Sequence, residues 1–346
     1  MFENSERTDI AELGEFGLIK HLTENFKVRH ESSIKGVGDD AAVLNFEDKQ
    51  MLISTDLLLE GIHFDLAYVP LVHLGYKAVQ VNLSDIYAMN GIASQITVSI
   101  GLSSKFPLEA VEEIYKGIAL ACDKFKIDLI GGDTSASKQG LVISITSIGY
   151  AEKNDVVFRN GAQEGDLLCV SGDLGGAYLG LQILEREKLI FLENPNIQPD
   201  LEGKDYIIER QLKPEGRRDI VDLLAQMEIK PTSMIDVSDG LASEILHICE
   251  QSGKGCNLYE EKIPIDPVTY ETARELGLDP TVCALSGGED YELLFTIKQE
   301  DYAKLKNDVD ISIIGHITEK SSGCNMISKS NVVHELKAQG WSAFKG

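Results

Sequence analysis

The side chains best suited to chemistry are carboxylates placed where apolar runs end. Asp39 and Asp40 sit in GVGDDAAVL (36–44), Asp56 ends LISTD, Asp85 sits in VNLSD, and Asp133 ends LIGGD. Asp236 and Asp239 frame DVSDG, and Glu289 and Asp290 follow LSGG. Gly, Asp and Ser are ordinary turn formers, so each motif taken alone reads as a turn. Six such motifs in one chain demand six coincidences. Ligands of open α/β sheets gather beyond strand ends, so these carboxylates are expected to share one cleft. Acids so placed repel one another and raise their own pKa values unless a cation neutralises them. Magnesium suits that role, because it takes hard oxygen ligands and completes its octahedron with waters and substrate phosphates. Calcium takes the same ligand type, but DVSDGLASE lacks the central glycine and the twelve-residue order of an EF-hand loop. The spacings offer no support for a histidine-rich or thiolate metal site.

The glycine-rich stretches have rival explanations. GVGDDA (36–41) matches G-x-G-x-x-A, yet VRHESSIK before it is no buried strand, and two aspartates would face a pyrophosphate directly. That argues against dinucleotide binding. A Walker loop is absent, as are the protein-kinase signatures. SGDLGGAYLG (171–180) follows a strand and opens a helix. Backbone N–H groups there suit a phosphate, and close helix packing explains the same glycines equally well.

The elements that must position these groups alternate along 346 residues, a length that points to two domains. Ile10, Leu13, Leu18, Leu22 and Phe26 predict an amphipathic helix over 9–26. AAVLNF, QMLISTD, SQITVSIGL, IDLIGGD and LVISITSIGY read as strands, and 71–90 and 107–126 as helices. The polar stretch 151–165 marks a boundary, which gives an N-terminal domain over 1–150 and a C-terminal domain over 151–346. Beyond it, DLLCVSG leads into a helix from Gly175, SMIDVSDG into a helix ending near Gln251, and YELLFTI into a polar helix and then ISIIGHIT. Residues 186–213 read as a surface excursion.

Composition narrows the partners. With 32 basic and 56 acidic residues the formal charge is −24, which repels a phosphate backbone and argues against nucleic acid. No window carries eighteen uninterrupted apolar residues, and the N-terminal stretch lacks the basic-then-apolar layout of a signal peptide. The expectation is a cytoplasmic protein with no membrane partner. The six cysteines contain no C-x-x-C pair and several lie in apolar runs, which predicts buried free thiols rather than disulfides or zinc ligands.

GEFGLI, GVGDDAAVL, STDLLLEGIHF, YKAVQVNLSDIYAMNG, LIGGDTS, IDVSDGL and LSGGEDYELLFTI occur in this order, and the chain closely resembles the thiamine-monophosphate kinases almost end to end. These belong to a superfamily built on the aminoimidazole-ribonucleotide synthetase fold. The resemblance implies a two-domain α/β (α+β) fold, with an N-terminal mixed sheet that binds ATP and magnesium and pairs in a homodimer, and a C-terminal α/β sandwich completing the active site. It implies ATP as co-substrate, several Mg2+ ions, and thiamine monophosphate as acceptor. Carried onto this chain, Asp40, Ser54, Thr55, Asp56, Asp85, Asp133, Asp236 and Asp239 correspond to metal ligands. Tyr115, Gly132, Asp133, Arg159 and Ser238 correspond to nucleotide contacts, and His63, Glu289 and Trp341 to the thiamine-phosphate side.

The chemistry implied asks little of a general base. A phosphate monoester has its second pKa near about 6, so the acceptor oxygen is already largely anionic at neutral pH. What remains is in-line positioning and neutralisation of charge. Asp40 is then the metal ligand of the Asp39–Asp40 pair, with Asp39 as turn former or water-mediated contact. By residue type alone, His63 reads as well as a structural histidine, Arg159 as an exposed turn residue, and Trp341 as a packing residue. Two other readings stand beside this one: a ring-closing or amidine-forming ATPase of the same fold, and a non-catalytic acidic module that binds cations.

Overall fold

In the computed structural model, which describes residues 21–35, 43–44, 49–152, 154–306 and 308–338, the alternating pattern becomes two main sheets with helices against them. This is the mixed α/β architecture expected from the sequence. The chain divides into two units, Met1–Ile86 with Gly91–Asn154, and Tyr87–Asn90 with Asp155–Gly346. Apart from 21–26, with helix at 21–23, the helix expected over 9–26 lies outside the described residues, as does most of AAVLNF.

In the first unit a short ribbon pairs β1 (Ser33–Lys35) with β2 (Val43–Leu44). There follow β3 (Lys49–Leu59), α1 (Leu71–Ala88), β4 (Ile92–Leu102), α2 (Leu108–Phe125), β5 (Asp128–Ala136) and β6 (Val142–Glu152). The sheet order is β3-β6-β4-β5, and only the β4–β5 pair is parallel. Strand side chains alternate between faces. Leu52, Ser54, Asp56 and Leu58 of β3 therefore share the face covered by α1, where Ser147 Oγ donates to Asn82 O over 2.9 Å. Met51, Ile53, Thr55 and Leu57 lie on the opposite face and are exposed, Ile53 by 64%.

Val111, Ile114, Ile118 and Ala121 give α2 a buried stripe at helical spacing. Two glycines set how closely it meets α1. A Cβ on Gly75 would lie 1.9 Å from Ile114 O, and one on Gly117 would lie 1.9 Å from Val72 O. The two backbones touch at this crossing.

The second unit contains β7 (Leu167–Ser171), α3 (Gly176–Glu193), α4 (Asp205–Leu212), α5 (Arg218–Gln226), β8 (Ser233–Asp236), α6 (Leu241–Ser252) and β9 (Lys254–Tyr259). After these come α7 (Pro267–Glu275), α8 (Pro280–Ser286), β10 (Leu293–Ile297), α9 (Tyr302–Leu305), β11 (Ile311–Glu319), β12 (Cys324–Ile327) and β13 (Val333–Glu335). Its sheet runs β13-β12-β9-β11-β7-β10-β8, and β12–β9 is the parallel pair. Leu168, Val170, Ile235, Leu294 and Ile314 of the sheet pack with Leu241, Ile245 and Ile248 of α6.

Residues 186–213 are not a single surface excursion. The helix begun at Gly176 runs to Glu193, and α4 returns along it, burying Ile207, Gln211 and Leu212. The exposed stretch is 191–200. Helices α7 and α8 add to the sequence expectations, and both have plain start signals: Asp266 accepts Val268 N–H and Asp279 accepts Thr281 N–H, each with proline at the first helical position.

Alanine at Gly117 would push a methyl group into Val72 O. The variant should lose on the order of 1–3 kcal/mol of stability. A urea midpoint equal to that of the parent would contradict backbone contact at this crossing.

Candidate active site

Position 56 sits on the helix-covered face of β3, and position 85 lies in the last turns of α1 above it. Ser54 Oγ donates to Asp85 Oδ2 over 2.5 Å, and Asp56 N–H donates to Asn82 Oδ1 over 3.0 Å. Burial, and then the Asp85 charge, push the Asp56 carboxyl up to about 6. Two carboxylates and a hydroxyl thus converge as oxygen donors. A hard divalent cation is the ligand that relieves the repulsion between them.

In the second unit, β8 ends at Asp236 and the VSDG turn leads into α6. Glu244, in the first turn of α6, accepts Asp239 N–H over 2.9 Å. Burial pushes the Glu244 carboxyl up to about 7; the Asp239 N–H opposes this, Asp236 and Asp239 add to it, and Arg159 opposes it. Asp236, Asp239 and Arg159 are therefore brought together, with Glu244 as a fourth member that no sequence spacing singled out. These acids also fit magnesium by donor chemistry.

The loop after α8 braces this turn. Glu289 N–H donates to Ser238 O over 2.7 Å, Tyr291 N–H to Val237 O over 2.9 Å, and Val237 N–H to Glu292 O over 2.7 Å. Gly288, Glu289 and Tyr291 all have positive φ, and a Cβ on Gly288 would lie 2.6 Å from Ser238 O. Strain of this kind persists where surrounding contacts over-determine it. Here the clamp is ionic. Glu292 is 1% exposed and takes Arg210 Nη1 at 2.8 Å, Arg217 Nη1 at 2.5 Å and Ser171 Oγ at 2.5 Å. Asp290 accepts Gly175 N–H over 2.8 Å and Ala177 N–H over 3.3 Å. The N-terminus of α3, which SGDLGG suggested for a phosphate, is thus occupied by the protein's own carboxylate. Gln211 Nε2 donates to Glu289 Oε2 over 2.9 Å.

The remaining predicted residues fall in several places. Thr55 is on the open face, donating to Ile145 O over 3.0 Å. Asp133 pairs with Ser99, which pairs with Ser144 opposite Leu57. It is therefore exposed on that same open face, three strand spacings or about 14 Å across the sheet from β3. The first unit brings Asp56 and Asp85 together and holds Asp133 apart. Gly132, next to it, aligns with Val98, leaving no room for a Cβ beside Val98 O. Tyr115 is buried in α2, where burial pushes its hydroxyl up to about 12. His63 Nδ1 accepts Leu59 N–H over 3.1 Å, so the proton resides on Nε2. Asp39, Asp40 and Trp341 lie outside the described residues.

Residues 38–151 match the family described as AIR synthase related protein, N-terminal domain. The thiamine-monophosphate kinase of Bacillus subtilis (strain 168) is 33% identical over 339 residues, 96% of this chain and 100% of the relative. The chain belongs to the thiamine-monophosphate kinase family. The family's enzyme from Aquifex aeolicus (strain VF5) is 32% identical, covering 97% of this chain and 99% of its own length. A solved structure described as AaThiL complexed with AMPPCP and TMP superposes with a TM-score of 0.73 at 31% identity, covering 99% of this chain and 100% of that one.

Two outcomes test the geometry. The raised Asp56 pKa means that the folded, metal-free protein binds a proton here that the unfolded chain releases near its ordinary 3.8. This group's contribution to stability therefore declines as pH rises from about 4 through about 6, and a bound cation offsets the loss. Mg2+ should raise the Tm more at about pH 7.5 than at about pH 5; equal shifts would contradict it. Arg210→Met leaves the acids around Glu292 short of a cation and should cost about 3 kcal/mol. Unchanged denaturant midpoints would show that the clamp contributes nothing.

Proposed function

We propose that this protein transfers the γ-phosphate of ATP to the phosphate of thiamine monophosphate, giving thiamine diphosphate and ADP. The observation that carries this reading is the family relationship along nearly the whole chain, 33% identity over 96% of its residues. The oxygen-donor groups at Asp56–Asp85 and at Asp236–Asp239–Glu244 support it, because phosphoryl transfer between two anions is a problem of charge and position.

In this reading Ser54, Asp56 and Asp85, and in the second unit Asp236, Asp239 and Glu244, hold magnesium; Asp40, Thr55 and Asp133 are assigned the same role from the family pattern. Bound there, the metal supplies neutralisation of phosphate charge. Arg159, whose charge reaches Glu244, offers a guanidinium fork to a nucleotide phosphate, and Ser238, Gly132 and Tyr115 complete the assigned nucleotide contacts. Glu289 is held by its backbone bond to Ser238 O and by Gln211, which suits it to orient the cationic thiazolium ring of the acceptor. His63 offers its Nε2–H to the acceptor phosphate, and Trp341 is assigned to the ring. The acceptor oxygen needs no base, being largely deprotonated above about pH 6.

The reading includes a homodimer formed through the open face of the first unit's sheet. Exposed Met51, Ile53, Leu57 and Ile92 support it, since a sheet face carrying this much apolar surface is a candidate for burial by a partner. It also takes the protein as cytoplasmic and free of nucleic acid. No helix among the described residues is long and apolar enough to cross a membrane, and the charge of −24 disfavours polyanions.

Asp85→Asn keeps an acceptor for Ser54 Oγ but removes the charge. It should abolish transfer while leaving the thermal melt intact, and wild-type turnover would refute the metal role. Glu289→Gln should raise the KM for thiamine monophosphate well above any change in the KM for ATP; equal changes in both would refute its assignment to the acceptor. Ile53→Asp should convert the dimer to monomers by light scattering, and an unchanged mass would place the interface elsewhere.

A further inference from the structure

Three of the six cysteines converge. Cys249 lies near the end of α6, Cys256 on β9 and Cys324 on β12, and their sulfur atoms all lie within 4.8 Å of one another. No C-x-x-C spacing announces this, because the three come from separate elements of the second unit. Cys256 and Cys324 are directly paired across the parallel β9–β12 ladder and so share a face. Cys249 is brought over them by the tight turn at Gly253, whose N–H caps the end of α6 before β9 begins. The backbone is fixed on both strands: Cys256 N–H donates to Gly323 O over 3.1 Å and Leu336 N–H to Cys324 O over 2.9 Å.

We infer that Cys249, Cys256 and Cys324 form a binding site for a thiophilic divalent cation of the zinc class. A zinc–sulfur bond is about 2.3 Å, which sets the sulfurs of a three-thiolate site about 4 Å apart. The sulfurs lie within 4.8 Å of one another, so even at that limit each would move inward by only about half an ångström to reach that distance. Cys249 and Cys256 are 2% and 0% exposed, whereas Cys324 is partly exposed, so the ion has an entry and a water has access to the fourth position. The surroundings select the charge of the ion. Cys249 and Cys256 belong to the apolar core of the second unit and Cys324 packs against it, so uncompensated charge there is costly. Three thiolates around a divalent ion carry a net −1, and around a monovalent ion −2. Binding releases one proton from each thiol that becomes a thiolate, three in all, and involves no change of oxidation state. Magnesium, a hard ion, is excluded from this site by its preference for oxygen.

Packing alone offers a competing explanation, since a free cysteine behaves as a small apolar residue. The test separates the two. The full chain, reduced and stripped with chelator, is titrated with Cd2+ as probe in the presence of excess Mg2+. A thiolate-to-cadmium ultraviolet absorption rising to a plateau at one equivalent per chain, and reduced in the presence of a large excess of Zn2+, is expected. Cys324→Ser should remove the plateau and the accompanying rise in Tm, whereas Cys122→Ser and Cys169→Ser, at buried thiols outside the cluster, should retain both. Should a variant fail to fold, the wild type decides by itself: Zn2+ should slow alkylation of Cys324, read by mass spectrometry, at least tenfold. Absence of the thiolate band, its persistence in Cys324→Ser, or alkylation unchanged by Zn2+ would overturn the site and leave three packed thiols.

Discussion

Carboxylates drawn out of water close to one another must be given a counter-charge, and this constraint organises both units. Part of the acidic set is answered from within the chain. Glu292 has Arg210, Arg217 and Ser171, and Asp290 has the N-terminus of α3 with Arg210 nearby. Those acids are structural, and together they lock the loop that presents Glu289. Another part is held with its proton affinity raised: Asp56 beside Asp85, and Glu244 beside Asp236 and Asp239. These are the positions where a cation would relieve the most repulsion, and in the function proposed above they hold the magnesium.

Much of the fold was legible in hydrophobic periodicity. The runs ending at Asp56, Asp133, Ser171 and Asp236 became strands, and 71–90 and 107–126 became helices within a residue or two of the expected ends. The pleat of β3 separates what the motif joins. Ser54, Thr55 and Asp56 are consecutive, so a period of two sends Thr55 to the face away from Asp85. Two helices begun by Asp-Pro, at 266 and 279, carried readable signals.

The rest was not readable because it is non-local. Glu292 lies 75 residues from Arg217 and 82 from Arg210, and nothing in a local window relates them. Arg210 rides on α4, in a stretch whose prolines, asparagines and acids read as surface. Glu244 sits inside DVSDGLASE, yet its place in the acidic group depends on the turn at Gly240 bringing the first turn of α6 back over Asp239. The three sulfurs of Cys249, Cys256 and Cys324 meet for the same reason: strand pairing and a helix end, rather than spacing, set their distance.

The central claim is that these acids serve transfer of a phosphoryl group to a phosphate, and the balance of products tests it most directly. Purified protein is incubated with ATP, Mg2+ and thiamine monophosphate, and the thiamine phosphates, ADP and inorganic phosphate are each quantified. Thiamine diphosphate equal to ADP, with no free phosphate, is the predicted result. ADP matched by free phosphate would point to a ring-closing or amidine-forming relative, and no nucleotide consumption to a module that only binds cations; either would contradict the account.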